Sequence, residues 1–106
     1  MAKTILHRLF SSRARAQLVV TLFADPEREY YMRELSRTTG EVIGSVQREL
    51  ENLEELDLVI SHKRANAKFY RANQDHYLFQ EMKSIVAKTA EARASSAQIA
   101  VMKAIQ

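Results

Sequence analysis

Hydrophobic positions along this chain follow a helical period, switch to strand-like alternation, and then return to a helical period. Leu18, Val19, Leu22 and Phe23 share one face of a predicted helix that starts after Ser11-Ser12 and stops at Asp25-Pro26. Serine caps helix starts, and the residue before a proline avoids helical geometry. Tyr31 to Thr39 predicts a second helix, with Met32 and Leu35 inward, Arg33, Glu34 and Arg37 outward, and Gly40 closing it. A third helix over 42–56 sets Ile43, Val46, Leu50 and Leu53 on an i, i+3, i+7, i+10 stripe. The face opposite carries Gly44, Ser45, Arg48 and Asn52, with Gln47 on its flank.

The period then shortens. Leu58-Val59-Ile60-Ser61-His62 and Lys68-Phe69-Tyr70-Arg71-Ala72 predict two strands, joined by Lys63-Arg64-Ala65-Asn66-Ala67 as a five-residue hairpin connection. A long last helix is expected after Asn73-Gln74-Asp75, with Asp75 as its N-cap. Along it Leu78, Met82, Ile85, Thr89, Ala92, Ser96 and Ile99 recur at steps of four and three, a heptad-like seam. Phe79, Val86, Val101, Met102 and Ile105 broaden that seam beyond what one small chain can cover. Ile5, Leu6, Leu9 and Phe10 predict a further helical turn or two ahead of the first helix.

The expected fold is therefore mainly α with a small β-hairpin. Residues 1–74 form a compact unit of helix, helix–turn–helix and hairpin, the order of a winged helix-turn-helix. Residues 75–106 form a C-terminal helix for dimerisation, seamed by Leu78, Met82, Ile85, Ile99 and Met102. With 106 residues, a partner would help to bury this apolar surface.

Composition narrows the function. There is no cysteine, which removes disulfides, thiolate metal sites and cysteine nucleophiles together. His7, His62 and His76 are far apart in sequence, so no metal site is expected. Glycine-rich phosphate loops, paired catalytic carboxylates and Ser/His/Asp patterns are all missing, so neither catalysis nor a cofactor is expected. The longest apolar run is too short to span a membrane, and the expected setting is the cytoplasm.

The net charge of +3 matters less than its distribution. Residues 62–71 carry Lys63, Arg64, Lys68 and Arg71 with no acidic residue, while 49–57 carry Glu49, Glu51, Glu54, Glu55 and Asp57 with no basic one. Such a directed field orients a protein on phosphates. On the third helix, small and polar residues lie near the start and acidic ones near the end. A helix whose leading end enters a DNA groove needs that polarity. The candidate DNA-binding residues are Gly44, Ser45, Gln47 and Arg48 on this helix and Lys63, Arg64 and Lys68 on a wing over 62–68. Arg33 and Arg37 on the preceding helix join them, with Arg13 and Arg15 as weaker phosphate candidates.

Four segments carry a family resemblance: Leu9-Phe10-Ser11-Ser12-Arg13-Ala14-Arg15, Tyr30-Tyr31-Met32-Arg33-Glu34-Leu35, Val46-Gln47-Arg48-Glu49-Leu50-Glu51-Asn52-Leu53 and Phe69-Tyr70-Arg71-Ala72-Asn73-Gln74-Asp75-His76. In them the chain resembles small prokaryotic winged-helix transcriptional regulators of the ArsR/MarR-like superfamily. It is most similar to the group sometimes fused to, or paired with, a minimal nucleotidyltransferase domain. Ser12 stands where that group usually has glycine, and no nucleotidyltransferase domain is expected within 106 residues. The resemblance implies a homodimer that binds specific double-stranded DNA sequences. The alternative is an adaptor or antitoxin-like partner of a separate nucleotidyltransferase, docking through the acidic patch and the apolar last helix.

Overall fold

The computed structural model describes residues 11–88. Helix α1 (Arg13–Ala24) begins at Ser12, whose side chain accepts a hydrogen bond from the Arg15 N–H at 3.2 Å. It gives way to a turn at Asp25-Pro26. Helix α2 (Met32–Thr39) has no N-capping hydroxyl, but the Glu34 carboxylate reaches back to accept from the Tyr31 N–H at 2.9 Å. Gly40 ends it with φ 74, a left-handed conformation that costs glycine nothing. The turn to the next helix is pinned by the Ser36 hydroxyl, which donates to the Glu41 carbonyl at 2.6 Å.

Helix α3 (Ile43–Glu55) leads into the hairpin of β1 (Val59–Arg64) and β2 (Ala67–Ala72), paired antiparallel from Val59–Ala72 to Arg64–Ala67. The strands are longer than expected, and only Ala65-Asn66 turns between them, instead of five residues. Ala65 takes φ 56 to make so tight a turn. Tyr30 and Tyr70 exchange two backbone hydrogen bonds of 2.9 Å, fastening the segment before α2 to the hairpin.

The last helix, α4, starts at 79 and its described part ends at 88, so it begins later than the expected cap at Asp75. Side chains build the turn before it. Asn73 donates to the Asp57 carbonyl at 2.8 Å and accepts from the Asp75 N–H at 3.0 Å. His76 meets the Leu56 carbonyl through Nε2 at 2.9 Å and the Leu78 N–H through Nδ1 at 3.0 Å. A carbonyl can only accept and an amide can only donate, so these partners select the Nε2–H tautomer.

The core lies where these elements meet. Leu18, Leu22 and Phe23 of α1 pack with Leu35, Val46, Leu50 and Leu53, closed below by Leu58, Val59, Tyr70 and Ala72 of the hairpin. Phe79, Met82 and Val86 of α4 complete it, with Phe79 5.9 Å from Phe23 ring to ring. Met82, expected on a seam between protomers, is instead only 2% exposed within its own chain. Leu78 and Ile85 remain half-buried, and Ile99 and Met102 lie outside the described residues. The stripe on α3 is also rotated. Ile43 is 45% exposed, while Glu49 is buried in its place.

Candidate nucleic-acid interface

The shifted face of α3 coincides with one long-range ion pair. Glu49 accepts from Arg15 of α1 at Nη2 (2.8 Å) and Nε (3.1 Å), and from Asn52 at 2.7 Å. Burial would push the Glu49 carboxyl up, but hydrogen bonds from Ser12, Asn52 and Arg15, together with the Arg15 charge, hold it below the usual carboxylate value. Ser45 and Asn52 are both half-buried on the flank of α3 next to Glu49. The outward face of α3 is therefore Gly44, Gln47, Arg48 and Glu51. Gln47 moves from the flank to the front, while Ser45 and Asn52 retreat from it.

The cations sort into two classes. Arg13 pairs with Glu41 at 3.4 Å, Arg28 with Glu34 at 3.4 Å, and Arg64 with Glu29 at 2.9 Å. Arg15 belongs to this class, so the weaker phosphate candidate becomes a structural residue. Arg33, Arg37, Arg48, Lys63 and Lys68 form no ion pair with any described residue. Arg48 in particular does not engage Glu51, three residues on.

Three of the unpaired cations share one concavity. An open groove of about 530 Å³ runs between α2 and the hairpin, lined by Tyr31, Met32, Arg33, Glu34, Arg37, Lys68 and Tyr70. A shallower hollow continues from Arg33, Ser36 and Arg37 to Ile43 at the tip of α3. Lys68 lies over the Tyr70 ring at 5.3 Å and faces Lys63 directly across the hairpin. Like charges directly opposite destabilise a hairpin, so this pair is costly for the isolated chain.

The other face of the hairpin is knitted together. Glu29 accepts a hydrogen bond from Arg64 and contacts His62, and the bond from Arg64 is foremost in holding its carboxyl below the ordinary value. Arg64 stacks over Phe69 at 4.7 Å, and Phe69 meets Tyr31 at 4.5 Å. Arg64 thus has an acidic neighbour in space that it lacks in sequence. No local pattern announces Glu29 as a neighbour of the wing, since its partner is 35 residues away.

Among the described residues no helix is long and apolar enough to cross a membrane, and no cluster of His, Cys, Asp and Glu could hold a metal. No protein-family model matches the chain, and no curated protein does. Solved structures do. The transcriptional repressor BigR from Xylella fastidiosa aligns at 24% identity over 78% of this chain and 76% of its own, with a TM-score of 0.63. A predicted DNA-binding transcriptional regulator from E. coli aligns at 20% identity, covering 82% and 84%, with a TM-score of 0.64. MepR, a transcription regulator of the Staphylococcus aureus multidrug efflux pump MepA, aligns at 17% identity, covering 93% and 77%, also at 0.64. At these identities the likeness is one of fold. The chain is a winged helix-turn-helix protein, in which α2 and α3 form the helix-turn-helix and β1–β2 form the wing.

Proposed function

We propose that this protein is a sequence-specific regulator of transcription that binds double-stranded DNA as a homodimer in the cytoplasm. Helix α3 enters the major groove with Gly44, Gln47 and Arg48 foremost and Ser45 at its edge. Arg33, Arg37, Lys63 and Lys68 take phosphates on either side, with Arg64 on the outer edge of the wing. Arg48 is suited to a bidentate contact with guanine. The observation that carries this reading is the sorting of cations. The paired ones are held within the fold, while Arg33, Arg37 and Lys68 line the groove between α2 and the wing, Arg48 stands on the front of α3 and Lys63 lies opposite Lys68. A surface holding several uncompensated cations in one concavity is suited to a polyanion.

The dimer is proposed on the apolar positions of the last helix, Leu78 and Ile85 with Ile99 and Met102. Two α3 helices roughly 34 Å apart would then meet successive turns of one face of a pseudo-palindrome. No observation favours the adaptor reading. The test is a titration of salt against binding to fragments from upstream of genes in the source genome. Affinity should fall steeply between low and physiological salt, by a log–log slope of roughly 0.9 for each phosphate neutralised. A flat response, or no fragment bound, sinks the reading. A mass of one chain at micromolar concentration would remove the homodimer from it.

A further inference from the structure

One apolar corner of the proposed interface fits neither folding nor burial. Val42 is the N-cap of α3 and makes no side-chain hydrogen bond to the helix. Ser, Thr, Asn or Asp at that position would satisfy an orphan amide, and valine cannot. Val42 is also 71% exposed, and Ile43 beside it is 45% exposed. Two branched apolar side chains therefore stand in water at the leading end of the helix, where a polar residue would stabilise it. Rules of local stability are broken most often at functional sites.

The surroundings select the partner. Gly44 follows, and even a Cβ built there would meet nothing within 4 Å, so the outer side of this helical turn is open. Arg33 and Arg37 line the hollow that ends at Ile43. Unpaired guanidinium groups beside the apolar tip suit a polyanion better than an apolar pocket on a protein. The major groove of duplex DNA offers both parts of the match: rows of phosphates and one apolar feature, the thymine C5-methyl group. Resting on the DNA-binding reading above, we propose that Val42 and Ile43 read thymine methyl groups in the major groove while Arg33 and Arg37 hold the flanking phosphates. The tip thereby prefers T·A over C·G without a hydrogen bond.

The test begins with wild-type protein enriching duplexes from a randomised DNA pool. The enriched sequence is then remade with each thymine in turn replaced by deoxyuridine, which removes only the methyl group. One or two positions should lose about three- to tenfold in affinity, the scale of one or two buried methyl groups. Val42→Ala and Ile43→Ala should bind the thymine and uracil duplexes alike, with unchanged circular dichroism. Val42→Ser, which gains a capping hydroxyl and so keeps the helix, should lose the same discrimination. If wild type binds every uracil duplex as tightly as the parent, the proposal fails and DNA binding stands. If the variants keep the wild-type preference, the methyl contact lies elsewhere and the proposal fails likewise. If wild type enriches no sequence, the DNA-binding reading fails and takes this inference with it.

Discussion

Two places in this molecule use arginine in opposite ways. At the seam between α1 and α3, Arg15 and Glu49 are 11% and 8% exposed in their side chains and hold each other at 2.8 Å. In the groove between α2 and the wing, Arg33, Arg37 and Lys68 form no ion pair with any described residue, and Glu34, the one carboxylate of the lining, is held by Arg28. The seam satisfies its charges internally and so fixes how α3 sits. The groove leaves its charges for something outside. Both arginine sites look alike in sequence, so the residue type does not tell the roles apart. Burial and the distance to the nearest carboxylate do.

The largest effect that can break this comparison is Arg15→Ala. It leaves Glu49 buried without its cation and should cost about 3–5 kcal/mol in urea unfolding. Arg15→Met combined with Glu49→Leu should recover most of that loss, because it removes the stranded charge as well as the pair. A single replacement with no measurable cost would show the seam to be dispensable. The pair also sets a pH limit. The folded-state carboxyl of Glu49 lies below its ordinary value, so its contribution is present above that ordinary value and is lost as pH falls through the folded one. Unfolding followed across acidic pH should show this loss, and Glu49→Gln should flatten it.

The groove predicts the reverse pattern. Arg33→Ala, Arg37→Ala and Lys68→Ala combined should leave stability within about 0.5 kcal/mol, as surface changes usually do. DNA affinity should fall tenfold or more, with the salt slope reduced by roughly 0.9 for each phosphate no longer neutralised. Lowered stability with retained affinity would invert the assignment of the two regions.

Glu29 lies between the cases, since it compensates a wing cation that could otherwise reach phosphate. Glu29→Gln frees Arg64 and should raise affinity for all sequences alike, by roughly threefold at low salt. The smallest effect is expected at the hairpin tip. Ala65→Gly relieves a left-handed alanine and should raise stability by about 0.5 kcal/mol, with DNA affinity unchanged.

The sequence made the order of elements legible because local rules decide it. Period marks α1 to α3, the Ser12 cap marks the start of α1, Gly40 marks the end of α2, and alternation marks the hairpin. What local rules could not resolve was rotation. A stripe from Ile43 to Leu53 is a sound helical pattern, yet the true core face includes Glu49, because a cation 34 residues earlier meets it. Beside that long-range pair Ser45 and Asn52 are half-buried, while Gln47 is exposed on the front. The same limit hid the link from Glu29 to Arg64 and made the whole hairpin tip look free. Met82 misled differently, because a heptad step does not say whose core a side chain enters. Of the candidates, Arg33 and Arg37 fall on α2 and Lys63 and Lys68 on the hairpin strands. Their unpaired state could be read only in three dimensions.

The reciprocal hydrogen bonds between Tyr30 and Tyr70 give the groove a fixed gauge. Lys68 stands two residues from one end of that rivet and Arg33 three residues from the other, so the two banks cannot drift apart independently. On the proposed reading, a strand of DNA entering there would meet jaws already set to one width, with no separate ordering of the wing to offset.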